Sequence, residues 1–293
     1  MKLKHWALLI ILGAVWGSSF MFIKIATPEF GPIPLVGIRL FIAGALFLPI
    51  LLQPKYLKQI HGFKLKIFIL SLLNATIPFT LFSYASYSSD SNMLAILNSS
   101  AALLTMIVAY FWINEPIGRK QLSGLIIGFI GIIVLVNPSN IQTSLISSLA
   151  CLTAASCYAI ANVFIQKFTK DIKKVVLIGW SLIFGAITLS PLTIVYFPTI
   201  IPSTEAILSL FWLGAIGTGL AFIGYVRSIE TIGAVKTSTV AYFLPVFGII
   251  WGYIFLNEKV TYIVIVGCLM VLLGIFVANT NKPDSGTNEG IIK

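Results

Sequence analysis

Ten long apolar stretches run through this 293-residue chain, and they limit its fold more than any other feature. A helix that crosses a bilayer needs about 20 mostly apolar residues. Each stretch meets or approaches that length, so the sequence predicts an all-α integral membrane protein with ten transmembrane helices. The predicted spans are Trp6–Ala26, Ile33–Leu52, Leu65–Tyr87, Met93–Trp112, Leu122–Val136, Ser144–Ile165, Val175–Phe197, Ala206–Val226, Ala234–Leu256 and Tyr262–Ala278.

The composition excludes other protein classes. Hydrophobic residues make up 58% of the chain and charged residues 10%, whereas soluble domains are about half apolar and about a quarter charged. Disordered chains have the opposite balance, with few apolar residues and many charges. The three cysteines are too few for a disulfide scaffold, and they form no Cys-x-x-Cys motif. We therefore expect no metal or redox cofactor.

Lysines and arginines predict the topology. With the N-terminus inside, fifteen of the 19 basic residues fall in inner segments, and Lys259 alone falls in an outer one. Positive charge collects on the cytoplasmic side of membrane proteins, so both termini are predicted to be cytoplasmic. The net charge of +10 then reflects loops near anionic lipids rather than a surface for nucleic acid. We expect a multi-pass protein of a plasma membrane, specifically a bacterial inner membrane, and either a monomer or a homodimer.

An internal repeat divides the chain. The pair Asn114-Glu115 recurs as Asn257-Glu258, 143 residues later. The same offset aligns Gly124 with Gly267 and Gly131 with Gly274. The predicted units are residues 1–140 and residues 141–281, each with five spans, followed by a cytoplasmic tail, residues 282–293.

Five spans in each unit have a consequence for orientation. Because five is odd, the second unit enters the membrane from the opposite side, and the two units are inverted relative to each other. Inverted repeats are typical of secondary transporters, whose substrate site lies near the midplane between the repeats. The sequence therefore predicts a carrier that works by alternating access.

Four segments of the chain carry a resemblance to known proteins: WGSSFMFIKIA in the first span, IRLFIAGALFL in the second, NEPIGRKQLSGLIIGFIGIIVLV at the fifth, and AYFLPVFGIIWGYIFLNEKVT from the ninth. These segments resemble the EamA-type members of the drug/metabolite transporter superfamily. It implies ten helices, cytoplasmic termini and a cavity between helices one, three, four, six, eight and nine. Family substrates include amino acids, other metabolites, sugars and drugs. One departure is that Ala102 stands at the repeat position of Pro245, so the two hinges are expected to differ.

Three basic residues, Lys24, Arg39 and Lys236, lie inside predicted spans, whereas every acid lies at a span edge or in a loop. Ionisable groups within a membrane are candidates for function. Buried cations without a deep acid suit a substrate carboxylate or phosphate and disfavour efflux of cationic drugs. The alternatives are that the two lysines extend to the interface and that Arg39 pairs with Glu29 or a carbonyl.

Polar and aromatic side chains at mid-span supply the remaining candidates. Pro78 cannot donate to the carbonyl of Asn74, so the third helix is expected to deform there. Serine and asparagine also hold helices together, and glycines allow close packing, so these roles remain alternatives. The candidate substrate-binding residues are Trp16, Ser19, Lys24, Asn74, Tyr84, Asn98, Tyr158, Asn162, Tyr225, Lys236, Thr239 and Tyr242, with Pro78, Pro245 and Gly217 as candidate hinges.

The function that these features favour is a secondary transporter of small polar metabolites, foremost amino acids or related carboxylates. A channel-like pore or a multidrug or cation efflux carrier is the alternative. An intramembrane enzyme is disfavoured because His5 and His61 both lie outside the apolar core of any span, which leaves no Ser–His arrangement. We predict no catalytic residues and no cofactor.

Overall fold

A computed structural model describes residues 3–136, 144–169 and 171–279, and all regular structure in these ranges is helical. Nine of the described helices are long and apolar enough to cross a membrane, and one apolar helix is shorter. Short helices at Pro54–Ile60 and Ala234–Thr237 precede the third and ninth of these. The ten main helices are α1 Leu3–Phe30, α2 Pro32–Leu51, α3 Lys64–Ala85, α4 Ser91–Ile113, α5 Arg119–Val136, α6 Leu145–Phe168, α7 Lys174–Val195, α8 Thr204–Ile232, α9 Val240–Leu256 and α10 Tyr262–Asn279.

The predicted ninth span, Ala234–Leu256, is wrong at its start. Gly233 ends α8 with a φ of 84°, and the short helix that follows stops at Thr237. The hydroxyls of Thr237 and Thr239 donate to carbonyls of the preceding turn, at 2.8 and 2.7 Å. Such local bonds compete with regular helix. As a result α9 begins only at Val240 and has 17 residues.

Two helices contain a π-helical stretch, Leu72–Thr76 in α3 and Trp212–Leu220 in α8. The first precedes Pro78, whose missing N–H cannot complete the regular pattern at Asn74, as the sequence predicted. The second contains no proline. There the Thr218 hydroxyl donates to the carbonyl five residues back, at 2.7 Å. Stretches of this kind occur often at functional sites.

Glycines bring α5 and α10 into close contact. A Cβ atom built on Gly124 would lie 2.5 Å from the carbonyl oxygen of Gly274, and one on Gly131 would lie 3.0 Å from that of Gly267. Side chains at these positions would collide with backbone, so the prediction of close packing through glycine is confirmed.

Left-handed asparagines end α4 and α9. Asn114 has a φ of 55° and Asn257 a φ of 53°, a conformation that asparagine tolerates better than most residues. In each case the next residue, Glu115 or Glu258, donates its N–H to the carbonyl six residues back, at 3.2 and 3.1 Å. This pattern closes the helix end and sets the direction in which each glutamate leaves it.

Polar contacts join the ends of several helices at one side of the bundle, which we term the clamped end. The Glu258 carboxylate accepts hydrogen bonds from the backbone N–H groups of Ser91 at 2.6 Å and Asn92 at 3.0 Å. These are the first residues of α4, so the carboxylate caps that helix from the α9–α10 loop. Glu29, near the end of α1, likewise accepts from Ser203 at the start of α8.

The three cysteines are buried and form no disulfide within the described structure. Cys151 and Cys157 lie on α6, and Cys268 lies on α10. All three therefore act as apolar packing groups of the interior.

Candidate substrate site

Aromatic side chains from α1, α3, α6 and α8 meet inside the bundle and form what we term the central cluster. Trp16 is its hub on α1, with ring centroids 5.6 Å from Phe222 and 5.1 Å from Tyr225 of α8. The members of the cluster are Trp16, Phe20, Phe82, Tyr158, Phe222 and Tyr225.

The central cluster extends from α1 to α3 and α6. Phe20 lies one turn beyond Trp16, and its ring centroid is 5.4 Å from that of Phe82. Phe82 in turn stacks on Tyr158 with centroids 6.2 Å apart. Of the residues predicted for the site, Trp16 and Tyr225 contact each other, and Tyr158 joins the cluster through its contact with Phe82.

Helices α1 and α8 touch at Gly217, inside the π-helical stretch of α8. The Trp16 indole Nε1 donates to the Gly217 carbonyl at 3.1 Å. A Cβ atom at Gly217 would lie 3.0 Å from the hydroxyl of Ser19, which is buried. Both Ser19 and Gly217 therefore lie beside the central cluster. The hinge role of Gly217 stays a prediction.

Arg39 of α2 lies between α3 and α8 and is only 4% exposed. Its Nε donates to the Thr218 hydroxyl at 2.8 Å, and its guanidinium carbon is 3.9 Å from the centroid of the Phe79 ring. It is also close enough to Tyr158 for an electrostatic interaction. The expected pairing with Glu29 or a carbonyl is wrong for the described residues, because Arg39 donates to a hydroxyl and Glu29 binds the start of α8.

The candidates on α3 separate into two places. Asn74 is half-buried within the π-helical stretch, and Pro78 is buried one turn later. Tyr84 is 51% exposed and makes an edge contact with Tyr87, with centroids 6.5 Å apart. Asn74 and Pro78 thus border the interior, whereas Tyr84 lies outside the central cluster.

Two asparagines predicted for the site differ in their surroundings. Asn98 of α4 has a buried side-chain oxygen that has no hydrogen-bond partner among the described residues. An unsatisfied buried polar atom is uncommon and marks a place where water or a ligand group would be favourable. Asn162 of α6 is exposed and donates to the Thr105 hydroxyl at 3.4 Å.

The two candidate lysines lie away from the central cluster. Lys24 is 28% exposed, and its Nζ donates to the Ser89 carbonyl at 2.6 Å and pairs with Asp90 at 3.2 Å. Its charge is therefore already balanced at the clamped end. Lys236 is exposed and belongs to the short helix before α9.

The candidates of α9 are held by local contacts. The Tyr242 hydroxyl donates to the Ile275 carbonyl at 3.3 Å and accepts from Asn279 at 3.0 Å, which ties it to α10. Thr239 donates within its own turn, and Pro245 is buried inside α9. The structure does not place Thr239, Tyr242 or Pro245 in the central cluster.

A groove of about 500 Å³ lies elsewhere, between α4, α5 and α6. Its walls are almost entirely apolar, and none of the predicted site residues lines it. The lining residues are Leu104, Phe129, Ile132, Ile133, Val136, Leu152 and Ser156.

Glu258 at the clamped end is 6% exposed. Burial raises the pKa of its carboxyl above the ordinary 4.5, and nearby Asp90 adds to the rise, while the hydrogen bonds from Ser91 and Asn92 oppose it. The balance favours the neutral carboxyl more than in water. Glu258 is not among the predicted site residues, because its place in the loop between α9 and α10 gives no sign in the sequence that its side chain is buried.

The sequence profile described as "EamA-like transporter family" matches residues 4–137 and again residues 145–280. The chain belongs to the EamA-like transporter family. The resemblance recognised in the sequence is therefore confirmed, and the chain is a membrane transporter of this type.

Relatives within the EamA-like family match over nearly the whole chain. The transporter YoaV of Bacillus subtilis (strain 168) is 28% identical, and the match covers 92% of this chain and 94% of the relative. A protein of Escherichia coli (strain K12) named "Probable amino-acid metabolite efflux pump" is 24% identical, with 94% and 95% covered. A solved crystal structure superimposes with a TM-score of 0.65 at 16% identity, over 95% of this chain and 98% of that one, and shows the same fold.

Arg39, named above among the basic residues inside spans, and Thr218 are two interior polar residues that the list of predicted substrate-binding residues does not contain. The family resemblance implies a cavity between helices one, three, four, six, eight and nine, whereas Arg39 lies on the second helix. A signal was present, because an arginine two turns inside an apolar span is costly unless it has a role. Its reach to α3 and α8 depends on the rotation of α2, which the sequence leaves open.

Proposed function

We propose that the protein is a secondary transporter that moves small polar metabolites by alternating access, with amino acids or related carboxylate-bearing compounds as substrates. The observation that carries this proposal is the pair of π-helical stretches beside the central cluster. Residues 72–76 of α3, shifted by the 143-residue offset, fall within Trp212–Leu220 of α8. Each half would thus deform at the equivalent point, next to the aromatic site.

Further equivalences support two repeats related by inversion, residues 1–140 and 141–281, with both termini cytoplasmic. The left-handed asparagines Asn114 and Asn257 are 143 residues apart, and the family profile matches the chain twice. Bacterial relatives support a place in the inner membrane. We keep the lipid bilayer and a small-molecule substrate as partners, and a monomer or homodimer as the assembly.

The hydrogen bonds from Ser91 and Asn92 to Glu258, which we term the Glu258 clamp, suggest how one end of the bundle closes. At the 143-residue offset, Glu115 corresponds to Glu258, and the amides of Ala234 and Val235 correspond to those of Ser91 and Asn92. We propose that Glu115 caps the short helix before α9 when the opposite end closes, so that the two clamps alternate. Loss of transport in Glu258→Ala but not in Glu115→Ala would contradict this alternation.

The relatives support the substrate class. The name of the Escherichia coli protein refers to efflux of amino-acid metabolites, at 24% identity. Aromatic faces in the central cluster and a buried cation nearby suit a ligand with an apolar part and a carboxylate. A cationic drug would need an acidic side chain at its binding site. Among the described residues, no carboxylate lies within 4 Å of Arg39.

Counterflow in proteoliposomes tests the carrier. We expect vesicles that contain the protein and are loaded with unlabelled amino acids to take up labelled amino acid faster than unloaded ones, with saturation. Such stimulation arises because a carrier returns faster when occupied. Protein-free vesicles are the control. Unsaturable single-channel current would contradict the proposal in favour of a pore, and uptake confined to lipophilic cations would favour drug efflux.

Lysines at the two ends are proposed to attract the anionic substrate. In the same vesicles, Lys24→Gln, Lys236→Gln and the double variant should raise KM by up to about tenfold at low ionic strength. Lys236→Gln removes a positive charge near an entrance, and Lys24→Gln leaves the negative charge of Asp90 unpaired, so each change lowers the local anion concentration. The effect should shrink as salt is added. Exposed Lys120→Gln is a matched control. Parent rate and parent affinity in all three variants would overturn the role of the lysines.

A further inference from the structure

Arg39 is a buried cation that forms no ion pair with the residues the structure describes. It is 4% exposed, and no carboxylate among the described residues lies within 4 Å of its guanidinium. An isolated charge in a membrane interior is unfavourable, and such residues usually face a partner or a pathway. Its described contacts are the Thr218 hydroxyl and the face of the Phe79 ring.

The contacts of Arg39 use only part of its donor capacity. Nε donates to the Thr218 hydroxyl at 2.8 Å, and no hydrogen-bond acceptor for its two terminal NH₂ groups is found among the described residues. Arginine carries five N–H donors in a planar fork that matches a carboxylate. Two NH₂ groups held in a fixed plane can therefore bind both oxygens of one carboxylate.

The guanidinium is fixed on both sides. Thr218 is itself oriented, because its hydroxyl donates to the Leu213 carbonyl at 2.7 Å and presents its lone pair to Arg39. The guanidinium carbon also lies over the Phe79 ring, 3.9 Å from its centroid. A preorganised fork loses little freedom when it binds an anion.

The side chains around Arg39 indicate which chemical groups the rest of a bound carboxylate ligand would have. Tyr158 lies near Arg39 and stacks on Phe82, so the cation borders the aromatic central cluster. Lys24 is already paired with Asp90, and Lys236 is exposed, so neither offers an equivalent site inside the bundle.

We propose that Arg39 binds the carboxylate of the transported substrate through its terminal NH₂ groups, with Thr218 as its positioning residue. The ligand class is a small monocarboxylate with an apolar or aromatic remainder, as in the larger neutral amino acids. This inference rests on the proposed transport function, and it names the residue that selects the substrate class.

The first test uses the purified parent protein and matched ligand pairs. Melting temperature is measured with L-phenylalanine, L-leucine and L-tryptophan, each against its carboxamide. We expect at least one acid to raise the melting temperature through binding to the folded state, and its amide to do so far less. Equal protection by acids and amides, or protection by no acid, would overturn the proposal.

Variants then assign the effect to Arg39. Arg39→Gln should abolish the preference for the acid over the amide, and Arg39→Lys should keep the preference with at least tenfold weaker binding, because lysine lacks the fork. Thr218→Ala should weaken acid binding several-fold and keep the preference. Exposed Arg227→Gln on α8 is the control and should bind as the parent does. If Arg39→Gln does not fold, the lysine variant and the parent's acid–amide comparison still decide the question.

Counterflow separates this inference from the wider function. Saturable counterflow that persists unchanged in Arg39→Gln would leave the carrier intact and remove Arg39 from substrate binding. Absence of counterflow in the parent for acids that nevertheless bind through Arg39 would support the site and overturn the transport function.

Discussion

Replacing Glu258 by alanine will lower the melting temperature of the detergent-purified protein by several degrees or more. Both carboxylate oxygens accept backbone hydrogen bonds at the start of α4, from Ser91 and Asn92, and the side chain is 6% exposed. Alanine removes both acceptors at once. Each buried donor left without a partner costs about 1–3 kcal/mol. Thermal unfolding followed by intrinsic fluorescence measures the change.

Glu205→Ala is the matched control for the Glu258 variant. Glu205 also lies in the first turn of a helix, α8, but its side chain is exposed. Substitution of such a surface group usually changes stability by no more than about 0.5 kcal/mol. Equal melting temperatures for the two alanine variants would show that the clamp contributes nothing to stability.

The Glu258 carboxyl also predicts a dependence on pH. Its pKa in the folded protein is raised above 4.5 by burial, so the folded state binds this proton more tightly than the unfolded state does. The resulting stabilisation is fully present below the ordinary pKa of 4.5 and is lost as pH rises through the raised pKa. Glu258→Gln, which cannot titrate, should remove this part of the pH profile. A profile identical to that of the parent would contradict the assignment.

Replacing Gly124 by alanine will destabilise the protein although alanine favours helix. The new Cβ would lie 2.5 Å from the Gly274 carbonyl oxygen and 2.6 Å from the Ala278 nitrogen. Both are backbone atoms, so α5 and α10 must move apart. Overpacking of this kind costs about 1–3 kcal/mol, which outweighs the gain of about 1 kcal/mol in helix propensity. Melting temperature again measures the result.

Gly224→Ala provides the same chemical change where space exists. The nearest atom to a Cβ at Gly224 is a methyl carbon of Leu12 at 3.6 Å, an ordinary contact. We expect this variant to melt at the parent temperature or above it. If Gly124→Ala were as stable as Gly224→Ala, the close approach of α5 and α10 would not hold in solution.

The positions of the helices follow from the sequence because a span must be both long and apolar, and few segments satisfy both conditions. Regularity within a span is harder to infer. The deformation of α3 could be anticipated, since Pro78 leaves the Asn74 carbonyl without its donor. That of α8 depends on which carbonyl the Thr218 hydroxyl selects, and that choice is made by packing. The start of α9 depended in the same way on local threonine bonds.

The sequence predicts which types of residue form the site, but not which way each side chain faces. Trp16 packs on Tyr225, and Tyr158 packs on Phe82, because large aromatic groups at mid-span pack against one another. Tyr84 and Tyr242 look equivalent in the sequence, yet one is exposed and the other is bound to α10. The rotation of each helix about its axis decides this, and nearly uniform apolarity around these helices gives little sign of it.

The burial of all three cysteines makes the chain convenient for site-directed chemical labelling. Water-soluble thiol reagents reach none of Cys151, Cys157 and Cys268 in the folded protein, so the native sequence can serve as the unreactive background. A cysteine introduced at exposed Ser88, at the clamped end, or at exposed Glu230, at the end of α8, would then be the reactive position. With a membrane-impermeant reagent on intact cells, the two sites would read out the orientation of the chain and, with added substrate, the opening of each end.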